Sequence, residues 1–159
     1  MDETFLKVKG RSVYLDRAID RDGNLVDVLL SEKRDKAAAE AFFRSARTVT
    51  GQVPERVTRD GHDAYPGAIK AALGTEVRHR TNRYLNNHLE QDHRGIKQRI
   101  RPMGGFKSVE SAKRFCRVHD EVRNFLRPRS DRHEVISLAQ RRLLYTARTR
   151  ILLTSLAAA

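Results

Sequence analysis

The sequence predicts a mixed α/β domain, and three observations support that prediction. The first thirty residues read as short strands separated by turns, and residues 3–9 alternate between polar and apolar side chains with the period of two that is typical of strands. From residue 35 onward, apolar residues recur at spacings of three and four, as they do on the inner face of a helix. Strand-like and helix-like segments then alternate, and the 159 residues are enough for one domain with a real core.

Three strands are predicted first, as an antiparallel meander. Residues 3–9 (ETFLKVK) alternate, Gly10 permits a turn, and residues 12–20 (SVYLDRAID) follow. The segment RDGN at residues 21–24 is a strong hairpin signal because glycine accepts a positive φ angle. The third strand is predicted at residues 25–31 (LVDVLLS), where an apolar run indicates a covered face.

The next segments alternate between helix and strand. Asp35 can cap a first helix, residues 55–60 (ERVTRD) read as a strand, residues 64–74 (AYPGAIKAALG) as a helix and residues 75–80 (TEVRHR) as a strand. This element order is that of ribonuclease H-like folds, although other α/β folds can be trimmed to it. We therefore expect a mixed sheet, made of the three-strand meander plus two further strands and flanked by helices.

The rest of the chain is predicted to be helical. A third helix, with the apolar stripe Leu85, Leu89, Ile96 and Ile100, should end at Pro102. Ser108 can cap a fourth helix, whose inner stripe is expected to be Ala112, Phe115, Val118, Val122, Phe125 and Leu126. A last helix is expected to begin at Asp131, with Glu134 completing a variant capping box. We thus expect a domain at residues 1–127 and a C-terminal helical extension at residues 128–159, either an interaction helix or one packed on its own domain.

The charge of the chain indicates its class of partner. There are 32 Lys and Arg against 20 Asp and Glu, which gives a formal net charge of +12, and the excess is concentrated in residues 78–129. Such an excess favours a polyphosphate partner, although a solvated basic surface alone does not require DNA. Cys116 is the one cysteine, which excludes an intrachain disulfide, and beside Phe115 it is expected to be a buried apolar residue. Without a signal-peptide pattern or a bilayer-length apolar run, we expect a cytoplasmic protein with no membrane partner.

Three carboxylates lie where predicted elements begin or end. Asp2 opens the first strand, Asp60 ends the fourth, and Glu90 lies near the start of the third helix. In a ribonuclease H-like sheet the first and fourth strands are neighbours and a late helix crosses their ends, so these acids could converge. Three carboxylates suit two Mg²⁺ ions, which together can promote phosphoryl transfer. Each acid taken alone is more often a solvated surface residue.

Charged neighbours of these acids have simpler interpretations. Asp92 is expected to be a salt-bridge partner or a charge on the helix surface. His93 is expected to be a packed or hydrogen-bonded histidine rather than a metal ligand. Arg59 either lowers the pKa of Asp60 or points to the opposite face of its strand.

Several blocks of the sequence resemble the DDE-type transposases of the insertion sequence six family. DETFLKVKGRSVYLDRAIDRDGNLVDVLLS is similar to the family's opening catalytic block, and KRDKAAAEAFF to its first helix. VTRDGHDAYPGAI is similar to the second-aspartate block, and HRTNRYLNNHLEQDHRGIKQRIRPMGGFKS to the glutamate block. Together these blocks cover about residues 2–127, far more than a lone short motif.

The resemblance implies a chemistry and a set of roles. It assigns catalysis and the binding of two Mg²⁺ or Mn²⁺ ions to Asp2, Asp60 and Glu90, and it assigns a DNA phosphate contact to Lys97. The neighbouring basic residues that are expected to bind DNA are Arg94, Arg99, Arg101 and Lys107. It also implies a nucleoid-associated transposase, a homodimer or higher oligomer, that hydrolyses the element's ends and joins the freed 3′-hydroxyl to target DNA.

Two departures from the family pattern lead to an alternative. The Asp60–Glu90 spacing is a few residues short, which a trimmed loop explains, and only Met1 precedes Asp2 where family members carry a helix-turn-helix segment. Chain ends fray, and Asp2 as the second residue is tethered to the fold on one side only, whereas a catalytic carboxylate must be held rigidly. We therefore expect this polypeptide alone to be weakly active or inactive. The alternative is an inactive remnant that only binds nucleic acid or transposase. A ribonuclease or resolvase on the same fold, and a generic RNA-binding protein, are the remaining readings.

Overall fold

The computed structural model describes residues 1–59, 65–81, 87–127 and 136–158, and it has the expected α/β architecture. The strands are β1 (Asp2–Val8), β2 (Arg11–Ile19), β3 (Leu25–Ser31), β4 (Arg56–Arg59) and β5 (Arg78–Thr81). The helices are α1 (Lys36–Thr50), α2 (Tyr65–Leu73), α3 (Asn87–Ile100), α4 (Val109–Leu126) and α5 (Leu138–Ala157), with a short 3₁₀ turn (Arg101–Met103) after α3. The predicted order of elements is confirmed. Among the strands, the largest shift is at β5, which begins at Arg78 rather than at residue 75 because a turn follows Gly74.

The strands form an antiparallel meander and a parallel pair. In the meander, Asp2 of β1 lies opposite Arg17 of β2, and β2 pairs in turn with β3. Strands β4 and β5 run parallel to each other. The amino group of Met1 donates a hydrogen bond to the Thr58 carbonyl at 3.1 Å. The start of β1 therefore lies beside β4, as the predicted fold requires.

Apolar clusters lie on the two faces of the meander. One cluster packs α3 and α4 against the sheet and consists of Leu6, Val8, Val13, Leu15, Leu30, Ile96, Ile100, Phe106, Ala112 and Cys116. The other gathers α1, α2 and β4 and consists of Met1, Ala39, Phe42, Phe43, Val57, Tyr65, Ala68, Ile69, Ala72, Leu73 and Val77. Ala18 and Leu29 of the meander pack against this second cluster. The sheet is thus covered by helices on both faces, with α3 and α4 sharing one of them.

The helix caps follow the predicted chemistry at two sites. The Asp35 side chain accepts a hydrogen bond from the Ala38 amide at 2.9 Å, which starts α1. The Ser108 hydroxyl accepts one from the Ser111 amide at 3.1 Å, which starts α4. Both predicted caps are confirmed.

The predicted inner face of α4 is confirmed at Ala112, which is buried, and at Phe115, which packs against the core. It is wrong further along the helix, where Val118 and Phe125 are 55% and 42% exposed and the other buried residues are Cys116 and Asp120. The helix is rotated in this way because Asp120 pairs with a buried arginine of the sheet, described below. A rule that seeks apolar spacing cannot identify a face on which a carboxylate is buried.

The predicted start of the last helix is also wrong. Asp131 and Glu134 lie outside the described residues, but residues 136–137 are not helical and α5 begins at Leu138. Ser137 and Gln140 form its capping box, each side chain bonding the other residue's amide. Over the described parts of the chain, no helix is both long and apolar enough to cross a membrane.

Candidate active site

Asp2 is held at the start of β1. Its side chain is almost buried, and its Oδ1 accepts a hydrogen bond from the Glu3 amide at 3.0 Å. The hydrogen bond from Met1 to Thr58 places this carboxylate near the end of β4. Asp60, the residue that follows β4, lies outside the described residues.

Helix α3 presents three chemically useful side chains at helical spacing. Glu90, His93 and Lys97 recur at intervals of three and four residues, so they share one face of the helix. His93 lies at the meander: its Nδ1 is 3.7 Å from Asp2 Oδ2. Glu90 is exposed one turn before His93, and Lys97 is exposed one turn after it. The contact between His93 and Asp2 thus orients the face of α3 that carries Glu90 towards the start of β1.

At neutral pH the lowered pKa of His93 leaves its imidazole uncharged in the folded protein. It is buried, and burial together with the positive charges of Arg17 and Lys97 lowers its pKa from 6.5 to about 4. Its Nε2 atom is buried and has no hydrogen-bond partner in the part of the chain that the structure describes. The expectation that His93 is a packed histidine agrees with this environment.

A buried ion pair lies on the strand next to Asp2. Arg17, opposite Asp2 in the register, is fully buried and donates to Asp120 of α4 through Nε at 3.2 Å and Nη2 at 2.5 Å. His119 Nδ1 lies 3.0 Å from the same carboxylate. This bidentate pair fixes α4 against the strand beside Asp2.

A second charged group lies on the opposite face of the sheet; we call it the Arg59 cluster (Glu3, Asp16, Arg34, Arg59 and Tyr65). Arg59 Nη2 is 3.9 Å from both Glu3 Oε2 and Asp16 Oδ1. The Tyr65 hydroxyl lies 3.2 Å and 3.4 Å from the same two oxygens, and Arg34 Nε is 2.7 Å from Glu3 Oε1. Burial raises the pKa of Asp16 to about 6, partly offset by Arg59. The cluster ties β1, β2, β4 and the start of α2 together.

Sequence reasoning missed most of these supporting residues. It considered Arg59, whose side chain meets Glu3 and Asp16, but not the partners on β1 and β2. The adjacent charges Asp16 and Arg17 in the middle of an otherwise apolar strand were the available signal. Charged residues are seldom buried unless they are paired, so two of them inside a core strand indicate a partner on each face.

The basic residues expected to bind DNA are exposed but not gathered at one point. Arg94, Lys97 and Arg99 lie along α3, with Arg99 Nη1 bonding the Gly95 carbonyl at 2.9 Å. Arg101 lies in the 3₁₀ turn and Lys107 just before α4, further from Asp2 along the chain. The five side chains are Arg94, Lys97, Arg99, Arg101 and Lys107.

Two other residues have structural roles. Asp92 Oδ1 and Oδ2 accept hydrogen bonds from Arg123 Nε and Nη2 at 2.9 and 2.5 Å, so its expected role as a salt-bridge partner is confirmed. Cys116 is buried, and burial raises the pKa of its thiol to about 12, which leaves it protonated at neutral pH. Its expected role as a buried apolar residue is confirmed.

The structure does not by itself assemble a metal site. Within residues 1–59, 65–81, 87–127 and 136–158, no group of three or more His, Cys, Asp or Glu side chains is placed to hold a metal ion. Asp2 and Glu90 are among these residues, whereas Asp60 is not. The convergence of all three carboxylates therefore stays a prediction.

Comparison with protein families gives a match along most of the chain. A family model described as a DDE domain matches residues 1–129. The transposase for the insertion sequence-like element IS431mec of Staphylococcus aureus is 38% identical over 117 residues, covering 71% of this chain and 50% of that protein. The transposase for IS257 in transposon Tn4003, also from Staphylococcus aureus, gives the same values. This chain thus spans about half the length of these relatives.

A solved structure shares the fold. A chain of the simian T-cell lymphotropic virus intasome, determined by cryoEM in complex with PP2A regulatory subunit B56 gamma, is 19% identical in sequence with a TM-score of 0.50. The similarity covers 62% of this chain and 37% of that one. At this identity the likeness supports the ribonuclease H-like fold and nothing further.

Proposed function

Because the chain belongs to the DDE-type transposases of the insertion sequence six family, we propose that it carries the catalytic centre for metal-dependent DNA strand cleavage and strand transfer. The observation that carries this proposal is the contact between His93 and Asp2. It brings the Glu90 face of α3 to the strand end where Asp2 lies, beside β4. Asp60 follows β4 directly and is the third carboxylate of the proposed site.

The donor set fits hard divalent cations. Glu90 is exposed and has no ion-pair partner among the described residues, and Asp2 has one carboxylate oxygen directed towards a neutral histidine. Carboxylate oxygens are the ligands that Mg²⁺ and Mn²⁺ prefer. Asp2, Asp60 and Glu90 would hold two such ions, which when bound activate an attacking oxygen and stabilise a leaving one.

The substrate is proposed to be the two ends of an insertion sequence together with target DNA. Lys97 lies two turns beyond Glu90 on the same face, where its ammonium can pair with a phosphate next to the carboxylates. Arg94, Arg99, Arg101 and Lys107 extend the positive surface away from that point. Holding two DNA ends at once calls for a homodimer or a larger assembly.

Replacing Glu90 with glutamine tests the proposal. The amide is nearly isosteric but is a poorer metal ligand, so Mn²⁺ binding measured by calorimetry and Mn²⁺-dependent nicking of supercoiled plasmid should both fall. Loss of an outer-shell partner already costs roughly 10–100-fold in metal affinity or activity, and loss of a ligand should cost more. Glu110→Gln is the matched control, since Glu110 is also an exposed glutamate in the first turn of its helix.

The outcomes separate the two leading readings. Metal binding that depends on Glu90 but not on Glu110 supports the catalytic centre, and nicking with the same dependence supports the full activity. Unchanged metal binding in Glu90→Gln contradicts the proposal. DNA binding without any metal binding or metal-dependent nicking would instead indicate a non-catalytic basic domain.

Neutralising exposed arginines on α3 and on the 3₁₀ turn that follows it should weaken DNA binding in a salt-dependent way. A plot of log affinity against log salt concentration has a negative slope, and each phosphate contact removed is expected to make that slope shallower by about 0.9. We expect Arg94→Gln and Arg101→Gln to show this reduction in fluorescence-anisotropy titrations with duplex DNA. Arg44→Gln is the control, because Arg44 is exposed on α1 and already paired with Glu40 at 2.9 Å. Equal slopes in all three variants would exclude this surface as the DNA contact.

A further inference from the structure

The face of the meander that carries the Arg59 cluster is only partly covered. Helices α1 and α2 pack over Ala18 and Leu29. Elsewhere on this face Phe5 of β1 lies opposite Tyr14 of β2, and the Phe5 side chain is 53% exposed. We call Phe5 and Tyr14 the aromatic platform; because side chains alternate along a strand, both lie on the same face as Glu3.

A cation lies over each ring of the aromatic platform. Lys97 Nζ is 4.8 Å from the centroid of the Phe5 ring, and Arg34 Cζ is 6.0 Å from that of Tyr14, the outer limit for a cation–π contact. Arg34 is held in place by its ion pair with Glu3. Aromatic faces next to positive charges are the combination by which proteins bind single-stranded nucleic acid, because bases stack on the rings while cations pair with phosphates.

The aromatic platform lies on the other face of the sheet from Asp2, near the same strand. Phe5 follows Asp2 by three residues on β1, about 10 Å along the strand, and the odd spacing turns its side chain to the opposite face. Consecutive bases along one DNA strand are about 3.4 Å apart when stacked, so a few nucleotides that pass around β1, the outer strand of the meander, span this distance. Lys97 is near both the carboxylates and the aromatic platform, because it shares a helix face with Glu90 and its Nζ lies over the Phe5 ring.

We propose that the aromatic platform stacks an unpaired DNA base of the strand that is cut or joined at the carboxylates. The identity of that strand rests on the proposed function, whereas the stacking rests on Phe5, Tyr14 and their two cations. A base inside a duplex has both faces covered by its neighbours, so only a terminal, frayed or single-stranded base can use the platform. Stacking makes no use of base edges, so the site tolerates any sequence.

A fluorescent substitution tests this directly. The chain has no tryptophan, so Phe5→Trp places a single indole on the platform. We expect a short oligothymidylate to quench its fluorescence saturably, and a strand of the same length made of abasic nucleotides to quench it much less. Phe125→Trp is the control, because Phe125 is also exposed, at 42%, but lies on α4. Equal quenching by the two strands, or quenching confined to Phe125→Trp, overturns the proposal.

Removing the ring gives the corresponding loss of affinity. Phe5→Leu keeps an apolar side chain but cannot stack, so its affinity for oligothymidylate should fall about fivefold or more. Its affinity for a blunt duplex of the same length should change less than about twofold, and Phe125→Leu should change neither. Equal losses for the single strand and the duplex would indicate a general effect on the surface and overturn the proposal.

These results are separable from those for Glu90. If quenching on Phe5→Trp fails while metal binding still depends on Glu90, the aromatic platform is wrong and the catalytic centre stands. If quenching is seen while Glu90→Gln binds Mn²⁺ normally, the base site stands and the metal chemistry is wrong.

Discussion

Asp120→Ala is expected to lower the free energy of unfolding by about 3–5 kcal/mol. Asp120 is the bidentate partner of Arg17, whose side chain is completely buried and which lies opposite Asp2 in the sheet. Removing the carboxylate leaves a guanidinium in the core without a counter-charge, and the cost of that desolvated charge dominates the effect. Urea denaturation followed by far-ultraviolet circular dichroism at neutral pH measures it.

Two further variants test the cause of that loss. Glu40→Ala removes a partner of the exposed Arg44 on α1, and such a surface pair should contribute less than about 1 kcal/mol. The double variant Arg17→Met/Asp120→Leu removes both charges and should recover much of the lost stability. A loss in Asp120→Ala as small as that in Glu40→Ala would show that Arg17 finds another partner.

Asp16 and His93 are expected to change stability in opposite directions between about pH 4 and pH 6.5. Burial raises the pKa of Asp16 from 3.8 to about 6, so its contribution is present below pH 3.8 and is lost as pH rises through 6. The pKa of His93 is lowered from 6.5 to about 4, so its contribution is present above pH 6.5 and is lost as pH falls through 4. Each shift corresponds to about 3 kcal/mol. In the unmodified protein the two effects largely cancel.

Single substitutions should reveal each effect. Asp16→Asn removes the contribution to stability that decreases as pH rises, so the free energy of unfolding should increase with pH over this range. His93→Gln removes the contribution that increases as pH rises, so the free energy of unfolding should decrease with pH. Urea unfolding at half-unit steps from pH 4 to pH 7.5 gives both slopes, independently of any constant offset that a substitution introduces. Asp22→Asn, in an exposed turn, should keep the slope of the unmodified protein. If Asp16→Asn, His93→Gln and Asp22→Asn all show the same slope of stability against pH, the assigned burial of Asp16 and His93 is contradicted.

The candidate site residues were predictable to different degrees. Asp2 and Glu90 were predicted from their positions at element ends and from family motifs, and the contact between His93 and Asp2 brings their elements together. Asp60 was predicted in the same way and lies outside the described residues, so the triad as a whole stays a prediction. Phe5 was not recognised, because a phenylalanine in an alternating strand looks like a core residue until its exposure is known.

The sequence alone determined the order of the elements, the caps at Asp35 and Ser108, and membership of the transposase family. These properties depend on local spacing and on motifs read along the chain. The tertiary structure decided which charges are buried together and which face of α4 turns inward. Arg17 and Asp120 are 103 residues apart, and nothing in the spacing around either one specifies the other. Only packing, which requires a buried charge to have a partner, makes that choice.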